Sequence, residues 1–158
     1  MTPGRGRSAE GQSLAEFAIV FPIFMLFLGG LMQFALLFWA QNTLNQVARD
    51  TGRWAATQTF ACTTGPEEAA AEANVITMAN TIANTSSLLG KTTAWTTAEI
   101  DVDWQVEAGT PPVCPPIDNA GIAWINITIR HSVPTFFPFT PGGGAISTAT
   151  RYRVEPMP

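Results

Sequence analysis

Gly11-Gln12-Ser13-Leu14-Ala15-Glu16-Phe17 opens the stretch that decides how this chain is built, because a lone carboxylate, Glu16, stands at the edge of a run without charge from Phe17 to Ala40. A helix needs roughly 20 apolar residues to cross the hydrocarbon core of a bilayer, and this run exceeds that. A transmembrane span over about 17–40 is therefore expected. A carboxylate in such a helix costs about 2.5–3.5 kcal/mol on insertion scales, so Glu16 is a candidate functional group in need of a partner.

The charges flanking the run set its orientation. Arg5 and Arg7 precede it with only Glu10 opposing them, which puts the N-terminus in the cytoplasm and the chain from Gln41 onward outside. Arg49 and Arg53 weigh the other way from beyond the span. A removable secretory signal has an apolar core of about 7–15 residues and a small-x-small cleavage site. The run is longer, and Phe38-Trp39-Ala40 lacks the first small residue, so an anchor is expected instead of a simple signal peptide.

Composition fits a tethered, exported domain. Of 158 residues only 13% are charged and the net charge is −4, which gives no support for nucleic-acid binding. Cys62 and Cys114 both fall on the expected outer side, where a disulfide persists; two free buried thiols are the alternative. Two cysteines without CxxC spacing and a single histidine, His131, give no zinc pattern, and neither metal nor cofactor is expected.

Leu14 to about Thr57 reads as one helix that leaves the membrane without a break, since Leu44, Val47, Ala48, Thr51 and Ala55 continue at i, i+3, i+4 spacing. Pro22 removes a backbone hydrogen bond and is expected to kink or locally open it, and Gly29-Gly30 is either a second weak point or a site of close approach for a neighbouring helix. Thr59 to Gly65 forms a loop, and Thr64-Gly65-Pro66-Glu67 matches a capping box that starts a second helix running to about Ser86. Its apolar stripe is read as Ala69, Ala73, Ile76, Ala79 (or Asn80) and Ala83.

Strand patterns take over from Ala98: Ile100, Val102, Trp104 and Val106 alternate with polar residues, then Ile125, Ile127 and Ile129, then Ile146 to Val154. Between the first two, Ala108 to Ala120 is proline-rich around Cys114 and reads as a long surface loop. The expected fold is α+β: a long N-terminal transmembrane or filament helix, a second helix and a small antiparallel three-stranded sheet. The acidic region from Glu67 to Asp118 and the basic Arg130, Arg151 and Arg153 are expected to face each other within the sheet, the arginines opposite Glu99 to Asp103; attraction between neighbouring copies is the alternative.

These residues resemble a known family. Gly11 before Gln12-Ser13-Leu14-Ala15-Glu16-Phe17 looks like a prepilin-peptidase site, in which glycine precedes the cut and glutamate lies fifth in the mature chain. Glu16-Phe17-Ala18-Ile19-Val20-Phe21-Pro22 and Val47-Ala48-Arg49-Asp50-Thr51-Gly52-Arg53-Trp54-Ala55-Ala56 are similar to the TadE-like (TadE/TadG) pilin-related proteins of tight-adherence pilus systems. The resemblance implies a pilin-like division into a leader, 1–11, a long helix, 12–57, and an extracytoplasmic head, 58–158. It implies a structural subunit cut between Gly11 and Gln12 by a prepilin peptidase, extracted from membrane lipid by an inner-membrane assembly platform, and packed with copies of itself or other pilins into an extracellular adhesive filament. Glu16, Phe17 and Pro22 would then serve assembly, because the new ammonium at Gln12 lies just over one helical turn from Glu16.

The competing reading is a single-pass anchored binding or adhesion module that is neither cleaved nor polymerised. An enzyme is not expected, since there is no Gly-x-Ser-x-Gly and no phosphate-cradling loop. Glu99, Asp101, Asp103 and Glu107 are read as a solvated acidic face, as side chains along one strand diverge from a calcium cage. Asn84-Thr85-Ser86 and Asn126-Ile127-Thr128 fit the N-glycosylation pattern.

Overall fold

A computed structural model describes residues 6–58, 66–106, 122–136 and 144–154. Helix α1 covers Gly6–Ala56 and α2 Pro66–Thr85, followed by strands β1, Ile100–Val106, β2, Ile122–Ser132, and β3, Ala145–Arg153. The three strands form one antiparallel sheet in the order β1-β2-β3. This is the α+β layout that the alternating strand patterns and the long apolar run predict.

Helix α1 is longer than the apolar run requires, starting at Gly6 rather than Leu14. Once a helix is nucleated each further residue adds a hydrogen bond, so Arg7, Ala9 and Glu10, all good helix formers, extend it past the cost of about 1 kcal/mol for Gly11. It also runs through Pro22 as one helix. Beyond the apolar run, Leu44, Val47, Ala48, Thr51 and Ala55 are all fully buried on the face that their spacing predicts.

The buried face of the sheet comes from period-two alternation. Ile100 lies opposite Ile129, Val102 opposite Ile127 and Trp104 opposite Ile125, and all four isoleucines are inaccessible to solvent. In β3 the half-buried positions Ile146, Thr148, Thr150 and Tyr152 alternate with exposed ones.

Strand β3 climbs alongside α1. Gln41 Nε2 donates to Ser147 O at 3.1 Å, Thr150 Oγ1 donates to Ala48 O at 3.4 Å, and the Tyr152 ring lies against Gly52. A helix rises about 1.5 Å per residue and a strand about 3.4 Å, so Gln41 to Ala48 and Ser147 to Thr150 both cover about 10 Å. The strand therefore keeps step with the helix axis, and one end of the head lies low on α1, towards the apolar run.

Helix α2 packs on α1 and reaches β1. Its buried stripe is Ala71, Val75, Ile76, Ala79 and Ala83, whereas Ala69 and Ala73 are exposed, contrary to the predicted stripe. In an alanine-rich turn every face is about equally apolar, and Val75, the bulkier side chain, fixes the rotation through its i−4 and i+4 neighbours. The Cys62 loop, with its Thr64 capping position, and the Ala108–Ala120 loop with Cys114 lie outside the described residues.

Candidate processing and assembly surface

Each N-terminal residue singled out by the motif is solvent-exposed on α1. Gly11, Gln12, Glu16, Phe17 and Pro22 all lie on a stretch, 11–28, that no other part of the described structure covers. A Cβ built on Gly11 meets nothing within 4 Å. The fold does not need glycine there, and in a helix glycine costs about 1 kcal/mol relative to alanine. No packing contact among the described residues accounts for glycine at this position.

Gln12 and Glu16 meet one turn apart, Gln12 Nε2 donating to Glu16 Oε1 at 3.2 Å. The same spacing would bring an α-ammonium at Gln12 near the carboxylate, though its own helix geometry points backbone N–H groups along the axis and leaves the outer lone pairs free for a neighbouring helix. Phe17 and Phe21 stack at 5.2 Å between ring centroids, tilted by 31°. Pro22 supplies no amide for the Ala18 carbonyl, leaving one backbone acceptor unpaired in the helix ladder. Leu14, Phe17, Ile19, Val20, Ile23, Phe24 and Phe27 each keep more than half of their surface accessible. This is the largest uncovered apolar surface among the described residues, and α1 is long and apolar enough to cross a membrane.

The cover begins at Gly29, which is buried, and next takes in Gln33, a residue the sequence reading passed over. Gln33 is 4% exposed, and its amide makes a reciprocal pair with the turn after β2: Nε2 donates to Pro134 O at 3.4 Å, and Oε1 accepts from Phe136 N–H at 2.9 Å. Gly90 and Gly144 close on the same turn with φ of 84° and 78°. A Cβ on Gly90 would lie 2.6 Å from Pro134 Cδ, and one on Gly144 would collide with Val133 O, so both positions need glycine for space as well as backbone angle. Val133 N–H donates to Gly144 O at 2.9 Å. A single polar residue within an apolar run was the available signal for Gln33.

Asn80 performs the same task higher up. Its Oδ1 accepts from Trp95 N–H at 2.8 Å and its Nδ2 donates to Trp95 O at 3.1 Å, fastening the α2–β1 connection to α2. That connection ends in a turn in which Glu99 Oε2 accepts from both the Thr96 amide and the Thr96 hydroxyl. The hydroxyl bond first, then the amide, holds the Glu99 carboxyl below the usual glutamate range against a smaller opposing effect of burial. His131 Nε2 lies 2.9 Å from Leu89 O, which accepts a hydrogen bond from it, and Trp95 meets its ring edge-on at 5.7 Å. Partial burial lowers the Lys91 ammonium from its ordinary value.

Arg130 stands opposite Glu99 as expected, its backbone N–H donating to Glu99 O at 2.8 Å, whereas Arg151 and Arg153 on β3 do not face the β1 acids. Strand β2 lies between β1 and β3, and Arg151 donates to Gln105 Oε1 at 3.0 Å while its guanidinium stacks 4.4 Å from the Trp124 ring centroid. Asp103 Oδ2 instead accepts from the Gln105 and Asn126 side-chain amides. Asn126 is thereby engaged in the middle of a strand, whereas Asn84 is exposed on α2. Cys62 and Cys114 lie outside the described residues.

The family model for "TadE-like protein" matches residues 11–53. The chain thus carries a TadE-like segment, as the motifs imply. It takes in the uncovered apolar stretch and the half of α1 beneath the head, and leaves out α2 and the sheet. No curated protein and no solved structure matches the chain.

Proposed function

We propose that this protein is a structural pilin-like subunit of a tight-adherence pilus system. A prepilin peptidase cleaves it between Gly11 and Gln12, and it is then assembled into or onto an extracellular adhesive filament. The observation that carries this reading is the apolar surface of α1 from Leu14 to Leu28, which has no partner within the described chain. Before assembly, bilayer lipid covers it, with the N-terminus in the cytoplasm and the head outside. After assembly, the same surface of neighbouring copies covers it, and contacts that repeat without closing into a ring generate a filament. An assembly platform in the inner membrane effects the transfer.

In this reading Glu16 answers the ammonium released at Gln12, on its own or a neighbouring helix. A buried pair of that kind sets register more than it adds stability, because desolvation offsets much of the attraction. Cys62 and Cys114 form a disulfide joining the end of α1 to the proline-rich loop. The direct test is the mass of the chain recovered from membranes of cells that make filaments. The expected N-terminus is Gln12, and Gly11→Val leaves the uncut precursor. A wild-type chain that retains residues 1–11 in those cells refutes processing and returns the anchored, uncleaved adhesion module.

A further inference from the structure

We infer that, before assembly, the Val133–Phe136 turn of the head is a lipid-inserted wedge, seated in the outer leaflet by the side-chain amide of Gln33. The inference rests on the membrane-anchored state proposed above and adds where the head meets the bilayer.

The depth follows from the apolar run. A hydrocarbon core takes roughly 20 helical residues. Between the limits of the uncharged stretch, the outer boundary falls from about Leu36 to Ala40, which leaves Gln33 about 4–10 Å inside it at 1.5 Å per residue. Pro134 O and Phe136 N are hydrogen-bonded to Gln33 and share that depth. Phe136 is 70% exposed. In a chain surrounded by lipid at this level, an exposed ring meets acyl chains whichever way it points.

Irregular backbone at membrane depth is tolerated only where its polar groups are satisfied from within the protein. Three of the turn's groups are satisfied in this way: Pro134 O and Phe136 N–H by the Gln33 amide, and Val133 N–H by Gly144 O. A glutamine in an apolar helix is costly unless its amide is engaged, so the two requirements answer each other. The surroundings agree with the level. Trp39 and Phe38 are exposed just outside, where aromatic side chains favour the headgroup region. Arg130, opposite Ser147 and hence level with Gln41, is exposed where headgroup phosphates lie.

The test places the photo-crosslinking residue p-benzoylphenylalanine at one position at a time in the full chain, in vesicles of phosphatidylethanolamine and phosphatidylglycerol. Phe21 reports the span, Arg153 the far end of the head, and Phe136 the wedge. Lipid adducts at 21 and 136 but not at 153 are expected, and Gln33→Leu should lower the adduct at 136 several-fold while leaving that at 21 unchanged. Lipid labelling at 21 without labelling at 136 overturns the wedge and leaves the anchor standing. Labelling at neither position overturns both. Adducts from 136 to a second copy, or unchanged labelling in Gln33→Leu, assign the turn to a protein contact or remove the role of Gln33, and either contradicts the inference.

Discussion

Gly52 on α1 lies flat against the Tyr152 ring on β3, so closely that a Cβ at Gly52 would overlap Cδ2 and Cε2 of the ring. The helix can approach the strand here because the residue between them has no side chain. Gly52→Ala should gain about 1 kcal/mol of helix propensity and lose about 1–3 kcal/mol by overpacking, for a net fall in stability. Thermal unfolding of the detergent-solubilised chain checks this. Shortening the ring by Tyr152→Leu in the same chain should relieve part of the loss, whereas a Tm for Gly52→Ala at or above that of the parent would show that the contact yields freely.

Thr51 is fully buried next to it, and its Oγ1 has no hydrogen-bond partner among the described residues. A buried hydroxyl without a partner costs about 1–3 kcal/mol, and valine keeps the branched shape. Thr51→Val should therefore raise the unfolding free energy by about 1 kcal/mol. Denaturant titration gives the answer, and a clear loss would mean that the hydroxyl is engaged in the working protein.

The Thr96–Glu99 turn makes a pH-dependent contribution. The folded carboxyl titrates below its unfolded value because Thr96 donates to the ionised form. Its stabilisation is complete above the ordinary glutamate range and is lost as the pH falls through that range towards the depressed folded value. Glu99→Gln should accordingly be less stable than the parent near neutrality, with the difference shrinking on acidification. A difference that is constant with pH would exclude the charged hydrogen bonds as its source.

Where a periodic pattern controlled the outcome, the sequence was a good guide. Ile125, Ile127 and Ile129 could be placed from their alternation alone, and Leu44 to Ala55 from helical spacing, because burial of one face is the dominant energy in both. Gln33 could not be connected to Pro134 and Phe136, since its partners lie more than a hundred positions away and its neighbours in sequence carry no sign of them. Ala69 and Ala73 were misplaced because alanines on every side leave a helix without a preferred face. Thr96-Thr97-Ala98-Glu99 has the same Thr-x-x-Glu pattern as Thr64 to Glu67, but the hydrogen bonds it makes close a turn before β1, showing that the pattern specifies local bonding and not the element that follows. The motif at Gly11 was legible for another reason: nothing in the fold asks for glycine there.

Glu16→Ala should insert into membranes as well as or better than the parent, since it removes a cost of a few kcal/mol in the bilayer. Its filament yield should nevertheless fall, because the ammonium at Gln12 loses its counter-charge on packing. Membrane fractionation and sheared-filament yield, measured on the same cells, separate the two effects. Normal filament yield would show that the carboxylate serves the anchor alone.

Filaments sheared from cells of the native source, and weighed chain by chain by intact-mass spectrometry, test the central claim most directly. The account predicts this chain among their subunits with the mass of residues 12–158, less two hydrogen atoms for the Cys62–Cys114 bond. Finding the chain only in the membrane fraction, with residues 1–11 still attached while filaments are made, would contradict it.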